Sequence, residues 1–255
     1  MSPADPECES FWAAALLEVA DAVLPARCPV CRGPDPEDGL GCAEHRLPLA
    51  PPGDRCARCA GPLPPSVGSA ERCSACRLRP PSFGRAIALA DYGAQPAIRE
   101  WILALKHGRR PDLSRTLGRA LGAAFAGARP RDGTAPPVLA PVPLHPLRRL
   151  ERGYDQALLV ALAAAEVERL EVVGALRRVR STPPQGTPGA PSRQANVERA
   201  FAPAFPRRLA ARRVEGREVW LVDDVVTSGA TASACARALK RLGAASVGVL
   251  ALARA

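Results

Sequence analysis

The sequence contains few lysine, histidine and aromatic residues, and each shortage excludes a class of function. Of its 35 basic residues only Lys106 and Lys240 are lysines, and aromatic residues make up 4%. Neither lysine follows a glycine, so the chain has no phosphate-binding loop of the P-loop ATPases. Its three histidines, His45, His107 and His145, form no convincing Ser-His-Asp or Cys-His set. The shortage of aromatic rings also argues against a dedicated stacking platform for single-stranded DNA.

Long apolar runs are missing as well. The first nine residues carry Asp5, Glu7 and Glu9, which makes them a poor signal peptide. The apolar run from Phe11 to Leu24 is interrupted by two acids, is too short to cross a bilayer, and instead predicts an amphipathic helix. We therefore expect a cytoplasmic protein without a membrane span, in which cysteine clusters bind metal more often than they form disulfides.

The chain is rich in arginine, proline and cysteine. Its 255 residues carry a formal charge of +10, 28 prolines and nine cysteines. Such a charge attracts polyanions, nucleic acid among them. The alternative is compositional, because Arg, Ala, Pro and Gly all have GC-rich codons, and the charge alone does not decide between the two.

Composition divides the chain into three predicted regions: an N-terminal helix at 1–25, a cysteine-rich region at 26–84 and an α/β region at 85–255. The cysteine-rich region has few apolar runs, so it cannot fold without additional stabilisation such as a bound metal. In the third, strands alternate with helices, which predicts a mostly parallel sheet with helices on both faces. The predicted strands are Ile87–Tyr92, Val138–Val142, Leu176–Val179, Val219–Val222 and Val247–Leu252, and the predicted helices are Ala97–His107, Leu117–Phe125, Gln156–Arg169 and Ala232–Leu242.

Eight potential metal ligands in the cysteine-rich region form four pairs with two residues between the members. Paired in order, they predict a mixed zinc site at Cys28, Cys31, Cys42 and His45, and an all-thiolate site at Cys56, Cys59, Cys73 and Cys76. Disulfides and redox-active CxxC pairs are the alternatives, and both fit the compartment and the predicted fold less well. Cys8 has no partner in sequence, and Cys235 falls on the apolar stripe of its helix, which predicts a core residue.

The most informative stretch runs from Val219 to Thr231. An apolar strand brings Asp223 and Asp224 to its C-terminal end, where open α/β sheets bind ligands. A Thr-Ser-Gly-Ala-Thr loop then begins a helix, so that backbone N–H groups, hydroxyls and the helix dipole can hold a monophosphate. The carboxylates beside it would hold sugar hydroxyls or a hydrated Mg²⁺.

This stretch resembles the phosphoribosyl-pyrophosphate (PRPP) signature of type I phosphoribosyltransferases, and the chain as a whole is similar to the ComF family, which is associated with DNA uptake in natural competence. The similarity covers roughly residues 10 to 255. The paired cysteine motifs match the zinc ribbons that precede the transferase domain in that family. The other matching stretches are Leu105–Gly108, Pro141–His145, Glu151–Gln156, Thr182–Gln185, Arg193 with Asn196, and Ala200–Phe201.

The resemblance implies a role for each stretch. Asp223 and Asp224 would contact the ribose hydroxyls of PRPP, and the loop of Thr227, Ser228, Gly229, Ala230 and Thr231 would hold its 5-phosphate. The turn with Val142, Pro143 and His145, together with Arg152, would face pyrophosphate and metal. Gln185, Arg193 and Asn196 belong to the place of the mobile loop that closes over the substrate. The loop here is rich in Pro and Gly, and Asp155 stands where the family commonly has Asn.

The implied activity is that of a glycosyltransferase, in which an oxocarbenium-like sugar and a pyrophosphate leaving group are stabilised electrostatically, with Mg²⁺ bound to PRPP. The expected cofactors are thus Mg²⁺ and one or two structural Zn²⁺ ions. Two alternatives remain open. In the first, the chain is a non-catalytic competence factor that binds PRPP and single-stranded DNA. In the second, its zinc region is a docking module for a DNA-uptake helicase or for a second copy of the chain.

Overall fold

A computed structural model describes residues 27–35, 39–65, 71–128, 135–179 and 200–255. The chain forms two compact units, Met1–Leu47 and Pro48–Ala255. The first unit contains the Cys28–His45 motifs, and the second contains the remaining cysteine pairs together with the sheet. The helix expected at 1–25 lies outside the described residues, and the three regional boundaries stay predictions.

The second unit alternates strands and helices from residue 85 onward. Its helices are α1 (Ser74–Leu78), α2 (Pro96–His107), α3 (Leu113–Ala128), α4 (Pro146–Arg152), α5 (Gln156–Glu168), α6 (Arg207–Val214) and α7 (Ala230–Lys240). Its strands are β1 (Arg85–Asp91), β2 (Val138–Pro141), β3 (Glu171–Val172), β4 (Leu176–Arg178), β5 (Phe201–Pro203), β6 (Glu218–Val226) and β7 (Ser246–Arg254).

Five strands form one sheet in the order β1-β7-β6-β2-β3, and every neighbouring pair in it is parallel. The C-terminal end of β2 lies beside the middle of β6, just before the aspartates, because Pro141 pairs with Val222. The fold class predicted from the alternation of strands and helices, a parallel α/β sheet behind a cysteine-rich region, is confirmed. Strands β4 and β5 form a separate antiparallel pair.

Helices cover both faces of the sheet. Val219 and Leu221 of β6 belong to the same buried cluster as Leu239 of α7. Trp220, between them in sequence, points to the opposite face, where its ring lies 4.8 Å from that of Phe125 in α3. Adjacent residues on a strand point to opposite faces, so the continuous apolar run of β6 is what a strand buried on both sides requires.

Local signals set the helix boundaries next to the sheet. Helix α4 begins after His145, whose Nδ1 accepts the N–H of Leu147 at 3.3 Å, and ends at Arg152, where Gly153 with φ +82° follows as the C-cap. Helix α5 begins after Asp155, whose carboxylate accepts the N–H of Leu158 at 3.1 Å. Such caps satisfy backbone groups that the first and last turns leave without partners.

Helices α3 and α5 pack closely through a glycine. A Cβ atom at Gly118 would lie 2.5 Å from the Cβ of Ala163 and 2.6 Å from the carbonyl oxygen of Val160. Because real Cβ atoms do not approach other atoms this closely, only glycine fits this contact without a shift.

Sequence and structure differ most at β6 and in the short elements. The predicted strand ended at Val222, but β6 continues to Val226, so the two aspartates lie within the strand and the loop begins at Thr227. Helices α1, α4 and α6 and strands β3 and β5 were not predicted from the sequence. Cys235 is fully buried, which confirms its assignment to the core. Within the described ranges, no helix is both long enough and apolar enough to cross a membrane.

Candidate functional site

Two adjacent aspartates lie near the C-terminal end of β6 and have different surroundings. Asp224 is buried, with 7% of its surface exposed. Its carboxylate pairs with the Nζ atom of Lys106 at 2.7 Å and accepts a hydrogen bond from Nε2 of Gln156 at 3.0 Å. Lys106 comes from α2 and Gln156 opens α5. Three separate segments therefore meet at one carboxylate, which holds it in place and balances its charge.

Asp223 is only partly buried, and its Oδ1 atom accepts the backbone N–H of Asp224 at 2.9 Å. Removal from water and repulsion from Asp224 raise the pKa of Asp223 from 3.8 to about 7, although Lys106 and Arg178 counteract the rise. A carboxylate that carries this electrostatic cost without a direct ionic partner in the described part of the chain is a candidate for ligand contact.

The loop after β6 presents its polar groups to solvent. Thr227 and Ser228 are exposed, and Gly229 adopts a positive φ of +73°, a conformation that favours glycine. Helix α7 begins directly afterwards, where Gly229 provides no side-chain cap and the N–H of Ala230 donates a long hydrogen bond of 3.4 Å to the hydroxyl of Ser228. The N-terminus of a helix attracts anions through its backbone N–H groups and its dipole. The loop and the two aspartates line one cleft of about 310 Å³, the acidic cleft, together with Tyr92, Lys106 and the start of α7.

The turn after β2 lies next to the aspartates, because the N–H of Val142 donates to the carbonyl of Val222 at 2.9 Å. Pro143 and His145 follow in this turn, where His145 caps α4. One terminal nitrogen of Arg152, at the end of α4, is buried and has no hydrogen-bond partner among the described residues. A buried donor of this kind is costly to leave unpaired. Among the described residues that line the acidic cleft, however, are neither the residues of this turn nor Arg152.

The predicted mobile-loop residues Gln185, Arg193 and Asn196 lie outside the described residues. The strands on either side of that segment, β4 and β5, pair with each other. Arg178, the last residue of β4, stacks over the ring of Phe201 at 5.7 Å and interacts electrostatically with Asp223.

The cysteine motifs form two groups of four possible metal ligands, each group within one compact unit. In each group the ligand atoms lie within 4.8 Å of one another. A zinc ion with tetrahedral bonds of about 2.3 Å separates its sulfurs by about 3.8 Å. The Sγ atoms of Cys31 and Cys42 are 3.8 Å apart, as are those of Cys59 and Cys73. Both donor sets therefore fit Zn²⁺.

The two groups share a local structure. The N–H of Cys28 donates to the carbonyl of Gly33 at 2.7 Å, and the N–H of Cys56 donates to that of Gly61 at 2.8 Å. In the mixed group, Nδ1 of His45 lies 3.3 Å from Sγ of Cys42, and this hydrogen bond lowers the pKa of the Cys42 thiol to about 6. Imidazole and thiolate thus face one point, as a mixed zinc site requires.

Arginines fasten the all-thiolate group to the sheet. Arg55 pairs with Asp91 at the end of β1 at 2.8 Å. Nε of Arg254, in β7, donates to the carbonyl of Cys59 at 3.2 Å, and Nη1 of the same side chain donates to that of Val226 at 3.1 Å. The cysteine motif is thereby tied to the residue that precedes the loop.

Comparison with known proteins identifies relatives of the chain. It is 33% identical over 192 residues to the DNA utilization protein YhgH of Escherichia coli K12, with 74% of this chain and 81% of the relative covered. It is 30% identical over 190 residues to Competence protein F of Haemophilus influenzae, with 73% and 80% covered. It belongs to the ComF family.

Neither family models nor solved structures add an argument about this ComF-family chain. No protein-family model matches it. A glutamine PRPP amidotransferase from B. subtilis aligns with 53% of this chain and 25% of its own, at 19% identity and a TM-score of 0.34. That the ComF-family chain contains a parallel sheet therefore follows from the pairing of its own strands, and not from this weak similarity.

Two site residues were not assigned a role from sequence. Lys106 and Gln156, which hold Asp224, both lie in stretches that match the ComF family, Leu105–Gly108 and Glu151–Gln156. Tyr154 of the second stretch donates a hydrogen bond to the carbonyl of Leu105 in the first. The family resemblance was therefore the signal that could have assigned them to the site.

Proposed function

We propose that this ComF-family protein binds PRPP and, with Mg²⁺, transfers its phosphoribosyl group to an acceptor. One observation carries the proposal. Asp223, Asp224 and the Thr227–Thr231 loop line a single cleft at the C-terminal end of a parallel strand, where α/β sheets bind ligands.

The charges of the cleft suit the two ends of the ligand. The carboxylate of Asp223 would accept hydrogen bonds from the ribose hydroxyls, while Asp224, already paired with Lys106, would fix its orientation. The hydroxyls of Thr227 and Ser228 and the N–H groups at the start of α7 would hold the 5-phosphate. In the transfer, the bond from C1 of ribose to pyrophosphate breaks, a bond from C1 to the acceptor forms, and the acceptor releases a proton.

The pyrophosphate that leaves carries most of the new charge. Mg²⁺, which favours oxygen ligands such as carboxylates and phosphates, would neutralise it when bound. Arg152 would supply a further cation, because its buried nitrogen has no partner among the described residues. Asp223 would favour positive charge on the sugar, because an ionised carboxylate attracts an oxocarbenium-like centre.

A second candidate function is binding of PRPP and single-stranded DNA without catalysis. The formal charge of +10 and the names of the relatives, a DNA utilization protein and a competence protein, favour it. A helicase that docks on the zinc region would be a protein partner in this second, non-catalytic function.

Thermal unfolding with Mg²⁺ and PRPP tests the first function. We expect millimolar ligand to raise the melting temperature of the wild type, and the double variant Asp223→Asn with Asp224→Asn to lose the shift. Glu218→Gln, which makes the same carboxylate-to-amide change at the opposite end of β6, should keep it. An unchanged wild-type curve would refute PRPP binding.

Two further assays separate transfer from binding. Release of pyrophosphate from PRPP, tested across nucleobases, amines and DNA, would identify an acceptor and support the enzyme. If PRPP binds without turnover and DNA binding weakens steeply with salt, the second function holds. Absence of DNA binding at low salt would eliminate it.

A further inference from the structure

A second cleft shares the Val226–Ala230 segment with the acidic cleft. It measures about 580 Å³ and lies within the Pro48–Ala255 unit. The Cys59–Pro62 turn, the Cys73–Cys76 motif and the Arg79–Phe83 segment contribute to its walls, and residues of β7 and α7 complete them. A volume of this size accommodates a ligand as large as a nucleotide.

The charge of this cleft is opposite to that of the acidic cleft. Arg79, Arg237 and Arg254 line it, and the described lining residues include no aspartate or glutamate. Hydroxyls of Ser82, Ser228 and Ser233 add hydrogen-bonding groups. We call this region the arginine cleft. Guanidinium groups together with hydroxyls bind phosphate groups, whereas a cation would find no carboxylate here.

Hydrogen bonds hold Arg237, Arg254, Ser82 and Ser233 of the arginine cleft in place. Nη1 of Arg237 donates to the hydroxyl of Ser82 at 3.2 Å, and the N–H of Ser82 donates to the hydroxyl of Ser233 at 3.3 Å. Arg254 is held by two carbonyls, and among the described residues these bonds use two of its five N–H groups. Side chains that are already ordered lose less entropy when a ligand binds.

A filled all-thiolate zinc site would not reverse the charge of the cleft. Four thiolates and one Zn²⁺ carry a formal charge of about −2. Arg79, Arg237 and Arg254 more than balance it, and the side chain of Arg58 is anchored nearby through its hydrogen bond to the carbonyl of Pro81 at 2.9 Å.

We propose that the arginine cleft is a second ligand site, which binds a phosphate-bearing ligand of nucleotide size beside the PRPP site. The phosphate lies against Arg79 and Arg237, and the sugar or base lies along the proline-rich wall near Phe83. This inference depends on the proposed function in one respect: the arginine cleft and the PRPP site share the Val226–Ala230 segment. The phosphate comes from a free nucleotide or from a nucleic-acid strand, and the two sources share this chemistry.

Calorimetric titration with two probes tests the proposal. AMP represents a free nucleotide, and a five-residue single-stranded oligodeoxynucleotide represents a strand. We expect at least one probe to bind the zinc-loaded wild type, and Arg79→Gln with Arg237→Gln to weaken it at least tenfold. Arg79→Gln alone changes an exposed side chain, so it should fold normally and weaken binding about threefold or more.

The matched control is Arg208→Gln with Arg212→Gln. It removes the same charge from exposed positions on α6, and we expect less than a twofold loss. Binding of AMP alone assigns the site to free nucleotides, and binding of the oligonucleotide alone or of both assigns it to strands. If neither probe binds, if the cleft variants bind like the wild type, or if the control loses as much, the proposal is wrong.

The same titrations distinguish this proposal from the proposed function. Asp223→Asn with Asp224→Asn should lose Mg²⁺-dependent PRPP binding and retain binding of the phosphate probe. If PRPP fails to bind the wild type while the probe binds, the proposed function fails and the arginine cleft stands. If PRPP binds and neither probe does, the reverse holds.

Discussion

Replacing Asp223 with asparagine should stabilise the fold and abolish PRPP binding at the same time. The carboxylate is held near Asp224, and its only hydrogen bond in the described structure comes from the N–H of that residue. The oxygen of a carboxamide can accept the same bond, so the change removes a charge and leaves the geometry. Stability and ligand binding then move in opposite directions, as expected for a residue retained for function.

The raised pKa of Asp223 sets the size and the sign of the effect. The folded pKa is about 7, against 3.8 for an ordinary aspartate. As pH rises from 4 to 7 the unfolded chain releases this proton before the folded chain does, so the wild type loses stability over that window. Three pKa units correspond to at most about 4 kcal/mol, at about 1.4 kcal/mol per unit.

Solvent screening reduces that limit, because Asp223 is partly exposed. We expect Asp223→Asn to gain about 2 kcal/mol above pH 7, or about 4–8 °C in melting temperature for a chain of this length. The gain should be small at pH 4 and vanish well below it, since the folded side chain is then protonated and the unfolded one becomes protonated below its pKa of 3.8.

Calorimetric melting of the wild type and Asp223→Asn at pH 4, 6 and 8 measures this difference, with Glu218→Gln as the control. Parallel scans with Mg²⁺ and PRPP follow ligand binding. A difference that does not change with pH, or a variant less stable than the wild type at pH 8, would refute the reasoning about the Asp223 carboxylate.

Three further predictions concern the surrounding structure. Lys106→Met should cost about 3 kcal/mol in urea unfolding, because it leaves Asp224 buried without its cation; a cost below about 1 kcal/mol would contradict this. Gly118→Ala should destabilise by about 1–3 kcal/mol because its Cβ would clash with α5, whereas Gly127→Ala in the same helix, with open space around it, should stabilise by up to about 1 kcal/mol; equal effects would argue against the close helix contact. Elemental analysis should find about two zinc ions per chain, and chelation should lower the melting temperature; a count near one would remove the Cys28–His45 site, and zero would refute both.

The sequence predicted the sheet well because the central parts of β1, β2, β6 and β7 are apolar runs. Helices α2, α3 and α7 between them are amphipathic. It misplaced the end of β6, where Asp223 and Asp224 interrupt the apolar run although the ladder to β7 continues to Val226. Polar residues at a strand end look like a loop in sequence, yet here their carboxylates line a cleft while their backbone groups stay in the sheet. Element β3, two residues long, is too short to give any periodic signal.

Only part of the candidate site could be predicted, because some of its residues are contiguous in sequence and others come from distant segments. The aspartates and the loop are contiguous, so one stretch of sequence contains them. The cations and amides that hold them come from distant segments: Gln156 is 68 residues from Asp224 along the chain. No local pattern links such residues, and only folding brings them together. The arginine cleft likewise combines the cysteine-rich segment with α7 and β7.

The scarcity of lysine gives the pair of Lys106 and Asp224 a practical use. Lys240, at the end of α7, is exposed, whereas Lys106 is partly buried and ion-paired. An amine-reactive reagent should therefore acylate Lys240 rapidly and Lys106 slowly. Any ligand that draws Asp224 away from Lys106 would free its amine and speed acylation at that one position. Mass spectrometry of two lysine-containing peptides would then follow occupancy of the acidic cleft without a label.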